Sequence, residues 1–281
     1  MKKTTRSANK TRTRRQLVRV ALRHWGSDRH SRAIFELQQR GSMQTLELAQ
    51  KLSRNASWRR RALGLYIASQ LQKRTHNADL GSIEYAVNAT SALLFAGLHD
   101  PHEEVVCAAA SGLGHRPHPQ ALPELVQLAS HSNKQLRWTV AVTLGRYPEP
   151  AAIEALLQLA HDPDDDVRDW ATFGLGTSQE ADTPQIRDRL WKNLHDHHEE
   201  VRGEALVGLA ERGDTRVIDY LSEHLNAKCR VYELKAAEKI ASPRLLEALQ
   251  AIARDCPETG LDGYWVHSLQ SAIAACGGSS A

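Results

Sequence analysis

Apolar residues recur along this chain with the period of a helix, and the helices themselves recur at a near-constant interval. Five segments, beginning at Glu103, Lys134, Asp165, Glu199 and Cys229, each carry three apolar or small positions spaced four residues apart. The first positions are Val105, Leu136, Val167, Val201 and Tyr232; the second are Ala109, Val140, Ala171, Ala205 and Ala236. The third are Leu113, Leu144, Leu175, Leu209 and Ile240, at successive spacings of 31, 31, 34 and 31 residues. Such offsets fall on one stripe of a helix, and a small middle residue lets a neighbouring helix approach closely. Ahead of four of these segments lies another amphipathic stretch, beginning at Ala121, Ala152, Gln185 and Arg216. Acidic turns containing proline join the two, as at 99–104 and 161–166, and acids at a helix start suit its dipole. The pattern predicts stacked helix–turn–helix units, an all-α, right-handed α-solenoid. A weaker copy from Met43 places Trp58, Ala62 and Tyr66 on the stripe. The expected organisation is a disordered basic tail over 1–12, N-terminal helices with a degenerate first repeat over 13–74, repeats over 82–260 and a capping helix over 261–278. The stretch Thr75–Gly81 breaks the register and reads as a loop.

Composition narrows this further. Hydrophobic residues make up 41% of the 281 and aromatics 5%, so the core must be built from Leu, Ala, Val and Ile. No start resembling a secretion signal and no apolar run long enough for a membrane span is present, so a cytoplasmic protein is expected. Cys107, Cys229, Cys256 and Cys276 are scattered and read as reduced thiols. The formal net charge of +3 hides a polarised chain. Residues 1–80 hold 19 Lys and Arg against 4 Asp and Glu, whereas 81–281 hold 17 against 29. Such polarity concerns partners, not fold.

The phrases DPDDDVRDWATFGLG, DTPQIRDRLWKNLHD, EEVRGEALVGLAERGD and TRVIDYLSEHL resemble bacterial PBS-lyase-type HEAT-repeat proteins, and more closely the YibA-like group among them. The similarity is strong over Ala152–Leu225 and weaker toward the N-terminus. It implies HEAT-type repeats. The "lyase" of the name refers to repeats shared with phycobilin-attachment enzymes, and shared repeats describe a scaffold without transferring a chemistry. The YibA-like group tends to be encoded beside Rhs-type toxin cassettes, so the resemblance also implies a cognate immunity role.

An arginine follows the stripe start at Arg59, Arg137, Arg168 and Arg202, while Val106 and Glu233 interrupt the series. It could bind phosphates or carboxylates, but the acids in the preceding turns favour a structural arginine ladder bonded to its own array. Trp138, Asp169, Trp170 and Phe173 lie off the stripe, with Glu204 at a corresponding offset. They are either a partner-binding patch on the concave face or aromatics packed between adjacent repeats. Trp and Asp on helical repeats are also similar to HEAT-like DNA glycosylases, although the surrounding pattern of that family is absent. His195–Glu200 and His99–Glu104 have the look of metal clusters and of the His-Glu pairs in di-iron HEAT-repeat hydroxylases. Both runs fall in turns, where solvated residues are the expectation, so no metal and no cofactor is expected. No glycine-rich phosphate loop, nucleophile elbow or CxxC pair occurs, so catalytic residues are not expected. Gly114, Gly145 and Gly176 fall where helix C-caps are expected. In the basic first third, Arg12, Arg14, Arg15, Arg59, Arg60 and Arg61 are candidates for nucleic-acid binding. The expected role is a monomeric, non-catalytic scaffold sequestering another protein, specifically a basic toxin domain steered by acids. Residues 161–200 hold 11 Asp and Glu against 4 Lys and Arg, among them Asp164, Asp165, Asp166, Glu199 and Glu200. The alternatives are nucleic-acid binding through the first third and a lyase- or glycosylase-like enzyme.

Overall fold

A computed structural model describes residues 12–75, 81–255 and 262–277, which form helices and one short ribbon. Most of the expected tail therefore lies outside the described residues. The chain divides into two compact units, Met1–Glu124 and Leu125–Ala281. Among the described residues no helix is long and apolar enough to cross a membrane.

Unit 1 contains α1 (Arg14–Arg23), α2 (Asp28–Gln38), α3 (Met43–Ser53), α4 (Trp58–Ser69), α5 (Val87–Gly97) and α6 (Glu103–His115). Consecutive helices pair, and α4 packs on α6. Two antiparallel strands, β1 (Gln72–Arg74) and β2 (Ser82–Glu84), flank the interruption of register, with Lys73 opposite Ile83. Three residues per strand are too few for a periodicity to show in the sequence. Past α7 (Leu122–Leu128), unit 2 holds α8 (Lys134–Leu144), α9 (Pro150–Leu159), α10 (Asp165–Phe173), α11 (Pro184–Asn193), α12 (Glu199–Glu211), α13 (Arg216–His224), α14 (Val231–Ile240), α15 (Leu246–Asp255) and α16 (Gly263–Ala275). The second helices α8, α10, α12, α14 and α16 stack in that order, each on the next. Within each unit the stripe residues belong to the core: all are buried except Tyr232 and Ile240, which are half-buried.

At the N-terminal end of the second helices, arginines bridge consecutive turns. Arg137 Nη1 donates to the His131 and Ser132 carbonyls of its own turn, at 2.9 and 3.0 Å. Its Nε and Nη2 grip both oxygens of Asp162 in the next turn, at 2.7 and 2.9 Å. Arg168 repeats this, donating to the Asp162 carbonyl at 2.8 Å and to both oxygens of Asp196 at 2.9 Å. In unit 1 the same geometry belongs to Arg61, which holds the Asn55 and Ala56 carbonyls and both oxygens of Asp100. All three are the fourth residue of their helix, so the ladder member of the degenerate repeat is Arg61 and not Arg59. The sequence register assumed there, with Trp58 on the stripe, is displaced by two residues, because Trp58 is the first residue of α4. The acceptor aspartates also take the backbone N–H two residues on, at 2.8–3.0 Å. Each arginine's hydrogen bonds hold its aspartate below the usual carboxylate range at Asp100 and Asp196, against the opposing effect of burial. Arg202 bonds the Asp196 and His197 carbonyls of its own turn, at 2.8 and 2.9 Å. The turn after it, Asn226-Ala227-Lys228, offers no acid.

The C-terminal ends are closed by a different device. Arg116, 1% exposed, donates to the Ser69 carbonyl at the end of α4 and to the Leu71 carbonyl just beyond, at 2.9 and 2.6 Å. In unit 2, Gln179 donates to the Tyr147 carbonyl at 2.7 Å and the Leu144 carbonyl at 3.2 Å. Arg212 donates to the Leu175, Gln179 and Ala181 carbonyls at 2.5, 3.0 and 3.0 Å, and also to the Gly176 carbonyl. Orphan carbonyls at the end of one second helix are thus satisfied from the next repeat. Burial lowers the pKa of Arg116 and of Arg212. The LG glycines do not serve as the left-handed caps expected of them. Gly145 closes α8 in a right-handed conformation at φ −56°, and none of the three has a positive φ. Gly176 instead permits close approach: a Cβ on the facing Gly208 would come within 2.5 Å of the Gly176 Cα. Left-handed residues close other helices instead: Gly213, at φ +63° after α12, and Ala241, at φ +49° after α14.

The ladder geometry separates two substitutions of the same residue type. Arg168→Ala leaves the half-buried Asp196 without its guanidinium partner and is expected to cost about 3 kcal/mol. Arg202→Ala removes bonds to its own turn alone and should cost about 1 kcal/mol. Urea denaturation of the two variants measures the difference, and equal losses would show that the bridge between turns adds nothing.

Candidate functional site

The second helices of unit 2 present side chains one and two positions past the ladder residue on a common face. Trp138 lies on α8, Asp169 and Trp170 on α10, Glu204 on α12 and Lys235 on α14. Trp138 and Trp170 meet edge to face with centroids 6.0 Å apart, and Trp170 meets Phe173 at 5.7 Å. All three rings are half-buried, so they both pack between repeats and keep surface toward solvent. Beside them opens a cleft of about 460 Å³ lined by Lys134, Gln135, Trp138, Asp164, Asp166 and Trp170.

Next to this ladder the face becomes acidic in an unusual way. Asp169 Oδ1 is buried without a hydrogen-bond partner among the described residues. Burial pushes the Asp169 carboxyl up to about 6; the charges of Glu200 and Asp166 add to this, and His198 opposes it. Glu204 is pushed up to about 7, first by burial and then by the charge of Asp169, which ionises earlier. The Tyr232 hydroxyl donates to Glu204, and Lys235 also favours its charged form. Gly203 makes this possible: a Cβ there would lie 2.3 Å from the Tyr232 ring. Sequence reasoning missed Tyr232 as a member of the face, because it was assigned to the buried stripe. The signal was a glycine at the offset where the preceding repeats carry Trp138 and Asp169.

Several acids expected to steer a partner are engaged within the repeats. Asp164 pairs with Lys134 at 2.8 Å, and Asp165 with Arg168 at 2.7 Å. Glu199 and Glu200 pair with Arg230 at 2.7 and 3.4 Å. Asp166 is exposed and lines the cleft. The histidine-rich turn is likewise part of the array: Asp196 serves the ladder and His197 sits 3.0 Å from Asp165. Among the described residues no group of three or more His, Cys, Asp and Glu is placed to hold a metal ion.

The basic candidates of unit 1 separate. Arg15 and Arg60 come together with Arg19, Arg23 and Lys51 around a groove of about 660 Å³ floored by Val18, Leu22, Leu48 and Leu52. Arg19 and Arg23 were missed, although with Arg15 they repeat every fourth residue of α1. Arg14 is tied instead to Thr45, Gln44 and Ser42 at 2.8, 3.1 and 3.0 Å. Arg59 lies over the Trp58 ring at 5.1 Å, and Arg12 accepts a bond from Arg40 through its carbonyl. Arg61 does not belong with the nucleic-acid candidates, because Asp100 and two turn carbonyls occupy its guanidinium.

The raised carboxyls set a pH dependence. Both bind a proton more tightly folded than unfolded, so their contribution is complete below the ordinary carboxylate range and is lost as pH rises through about 6 and about 7. Asp100 and Asp196, held below the usual carboxylate range, stay ionised across that window. Wild type is expected to lose about 1–2 kcal/mol between about pH 5 and about pH 8 through this pair, and Glu204→Gln to lose less. Urea midpoints at the two pH values test this; identical slopes would show that Glu204 is an ordinary exposed acid.

A sequence-family model for HEAT repeats matches residues 91–176 and 155–237. The chain is 29% identical to Escherichia coli (strain K12) YibA over 224 residues, which span 77% of this chain and 76% of that protein. An X-ray structure of the E. coli YibA protein superposes with a TM-score of 0.67 at 23% identity, covering 97% of this chain and 98% of the other. Importin beta superposes at a TM-score of 0.55 and 13% identity over 92% of this chain and 41% of its own. With these two the likeness is one of fold. Matching repeats across half the chain and the helix stacking described above lead to one conclusion: this protein belongs to the HEAT-repeat family.

Proposed function

We propose that this chain is a non-catalytic scaffold that holds a basic protein domain against the second-helix face of unit 2. The observation that carries the reading is the edge-to-face series Trp138–Trp170–Phe173, whose rings remain half-exposed beside a cleft bearing Asp166. Large aromatics of this kind, partly pre-buried and rigid, give up little entropy when covered and commonly anchor protein interfaces. The acidic balance of residues 81–281, 29 Asp and Glu against 17 Lys and Arg, favours a basic partner. The resemblance to the YibA-like group supports a specific form of the reading, in which the partner is a cognate toxin domain blocked by stoichiometric occlusion.

A second reading rests on the groove of unit 1. Five cations around an apolar floor suit an anionic ligand, and nucleic acid bound there would be released steeply by salt.

One capture experiment addresses both. Wild type and the Trp138→Ala/Trp170→Ala variant, shown by circular dichroism to be equally helical, are incubated with native lysate with and without nuclease. The scaffold reading expects one dominant basic protein that survives nuclease and falls at least about tenfold with the double variant, since two anchors of about 1–2 kcal/mol are removed. A catch that disappears with nuclease and is indifferent to both tryptophans would place the function in the basic groove.

A further inference from the structure

Unit 1 carries a second, unrelated concentration of aromatic rings. Trp25 stands in the turn between α1 and α2, just before Gly26, whose φ of +75° only glycine adopts readily. Its ring lies 4.5 Å from His30 on α2, 5.4 Å from Trp58 at the start of α4 and 6.4 Å from Tyr66 on the same helix. Trp58 in turn stacks on His102 at 4.3 Å, which backs the cluster from the side of α6. A cavity of about 340 Å³ opens against these rings, lined by Trp25, Gly26, His30, Ser31, Ile34, Tyr66 and Glu104.

Three features distinguish this cavity from ordinary core packing. The planes of Trp25 and Tyr66 are inclined at 49°, so they form adjoining walls of a corner in place of a closed stack. His30, 7% exposed, is fixed by its Nδ1 bond to the Ala21 carbonyl at 2.9 Å, so its ring cannot swing in to fill the space. Glu104 stands close enough for its charge to help raise the Tyr66 phenol, after burial. Yet neither its carboxylate nor the Tyr66 hydroxyl has a hydrogen-bond or ion-pair partner among the described residues. The cavity therefore offers π faces, one apolar side chain at Ile34, the Ser31 hydroxyl and one unneutralised carboxylate at its wall.

We propose that this cavity binds a quaternary ammonium cation of the choline class. A positive charge set over aromatic faces is attracted by their quadrupoles, and the attraction grows as water is excluded. A quaternary ammonium is large, weakly hydrated and without N–H donors, so it loses little on leaving water and asks for no acceptors beyond a nearby negative charge. A primary ammonium or a guanidinium requires several hydrogen-bond acceptors in return for its water, and the side chains of the lining offer one charged acceptor, Glu104, beside the neutral Tyr66 and Ser31 hydroxyls and one imidazole nitrogen. The proposal is independent of the partner face of unit 2.

The test is a titration of the full chain with choline, followed by tryptophan fluorescence and by calorimetry. Three comparison ligands are run: the neutral carbon isostere dimethylbutanol, ethanolamine and guanidinium. The expected result is saturable choline binding at least about tenfold tighter than any of these, with ring fluorescence perturbed. Glu104→Gln, which preserves shape, should weaken choline about tenfold without changing the helical spectrum, and Trp25→Leu should weaken it comparably. If Trp25→Leu unfolds, Glu104→Gln still decides. Equal binding of the neutral isostere would show an apolar cavity alone. Ethanolamine or guanidinium binding as well as choline would overturn the ligand class, and no saturable binding of choline would overturn the site.

Discussion

Everything in these repeats depends on how the ends of the second helices are satisfied. A helix leaves four N–H groups and four carbonyls without partners at its ends, and a helix sandwiched between neighbours cannot give all of them to water. Each repeat solves this by borrowing from the next. At the N-terminal end a turn aspartate accepts the backbone N–H two residues on, and an arginine of the preceding repeat, donating bidentately to that aspartate, holds it in place. At the other, Arg116, Gln179 or Arg212 closes the exposed carbonyls of the preceding helix. The apolar stripe makes stacking favourable but does not fix its register, since one leucine slides past another at little cost. Directional bonds at both ends fix it.

That arrangement constrains where function can lie. Positions facing the neighbouring repeats are committed to small and branched residues, and the ladder and cap residues are committed to backbone. What remains variable is the pair of positions just past the ladder, which α8, α10, α12 and α14 fill with Trp138, Asp169 and Trp170, Glu204, and Lys235. A family with a strict scaffold can vary these at little structural cost, which is the physical sense in which a site is grafted on a fold. The carboxyls raised to about 6 and about 7 are the exception to low cost: an unpaired buried oxygen on Asp169 is destabilising, and nothing in the stacking requires it.

The repeat was legible because its signal is redundant. Five copies of the same three-position stripe identify helix, spacing and buried face together, and the buried set matches it at nearly every position. The ladder was half legible. Arg137, Arg168 and Arg202 were recognisable as structural, yet the acids nearest in sequence suggested partners within the same turn, and the main acceptors are Asp162 and Asp196, one turn later. Sequence proximity cannot distinguish these cases, because translation by one repeat looks the same as staying in place. Where the copy is degenerate, the three consecutive arginines 59–61 concealed the register, which a bond to Asp100 settles. The capping residues were invisible for a related reason. Arg116, Gln179 and Arg212 perform one task with different chemistry at positions just past the aligned segments, so no periodic signal marks them. The ribbon between α4 and α5 was unreadable at three residues a strand.

The same bookkeeping changes the meaning of charge. Counted along the sequence, residues 161–200 form an acidic block of 11 against 4. In space, Asp162, Asp164, Glu199 and Glu200 are joined to Arg137, Lys134 and Arg230, cations that lie outside that block. A charge paired at about 3 Å becomes a dipole, whose field decays faster than that of a free ion and contributes little beyond a Debye length of about 8 Å. Asp169 and Glu204 add less than full charges near neutral pH, because burial favours their protonated forms. The local field over the aromatic series is therefore weaker than composition suggests. For the basic partner proposed above, long-range attraction would then fall to the excess of acid over the chain beyond residue 80, and selection to the shape of Trp138, Trp170 and Phe173. In the proposed scaffold, charge would bring partners to this face and the rings would decide which of them stays.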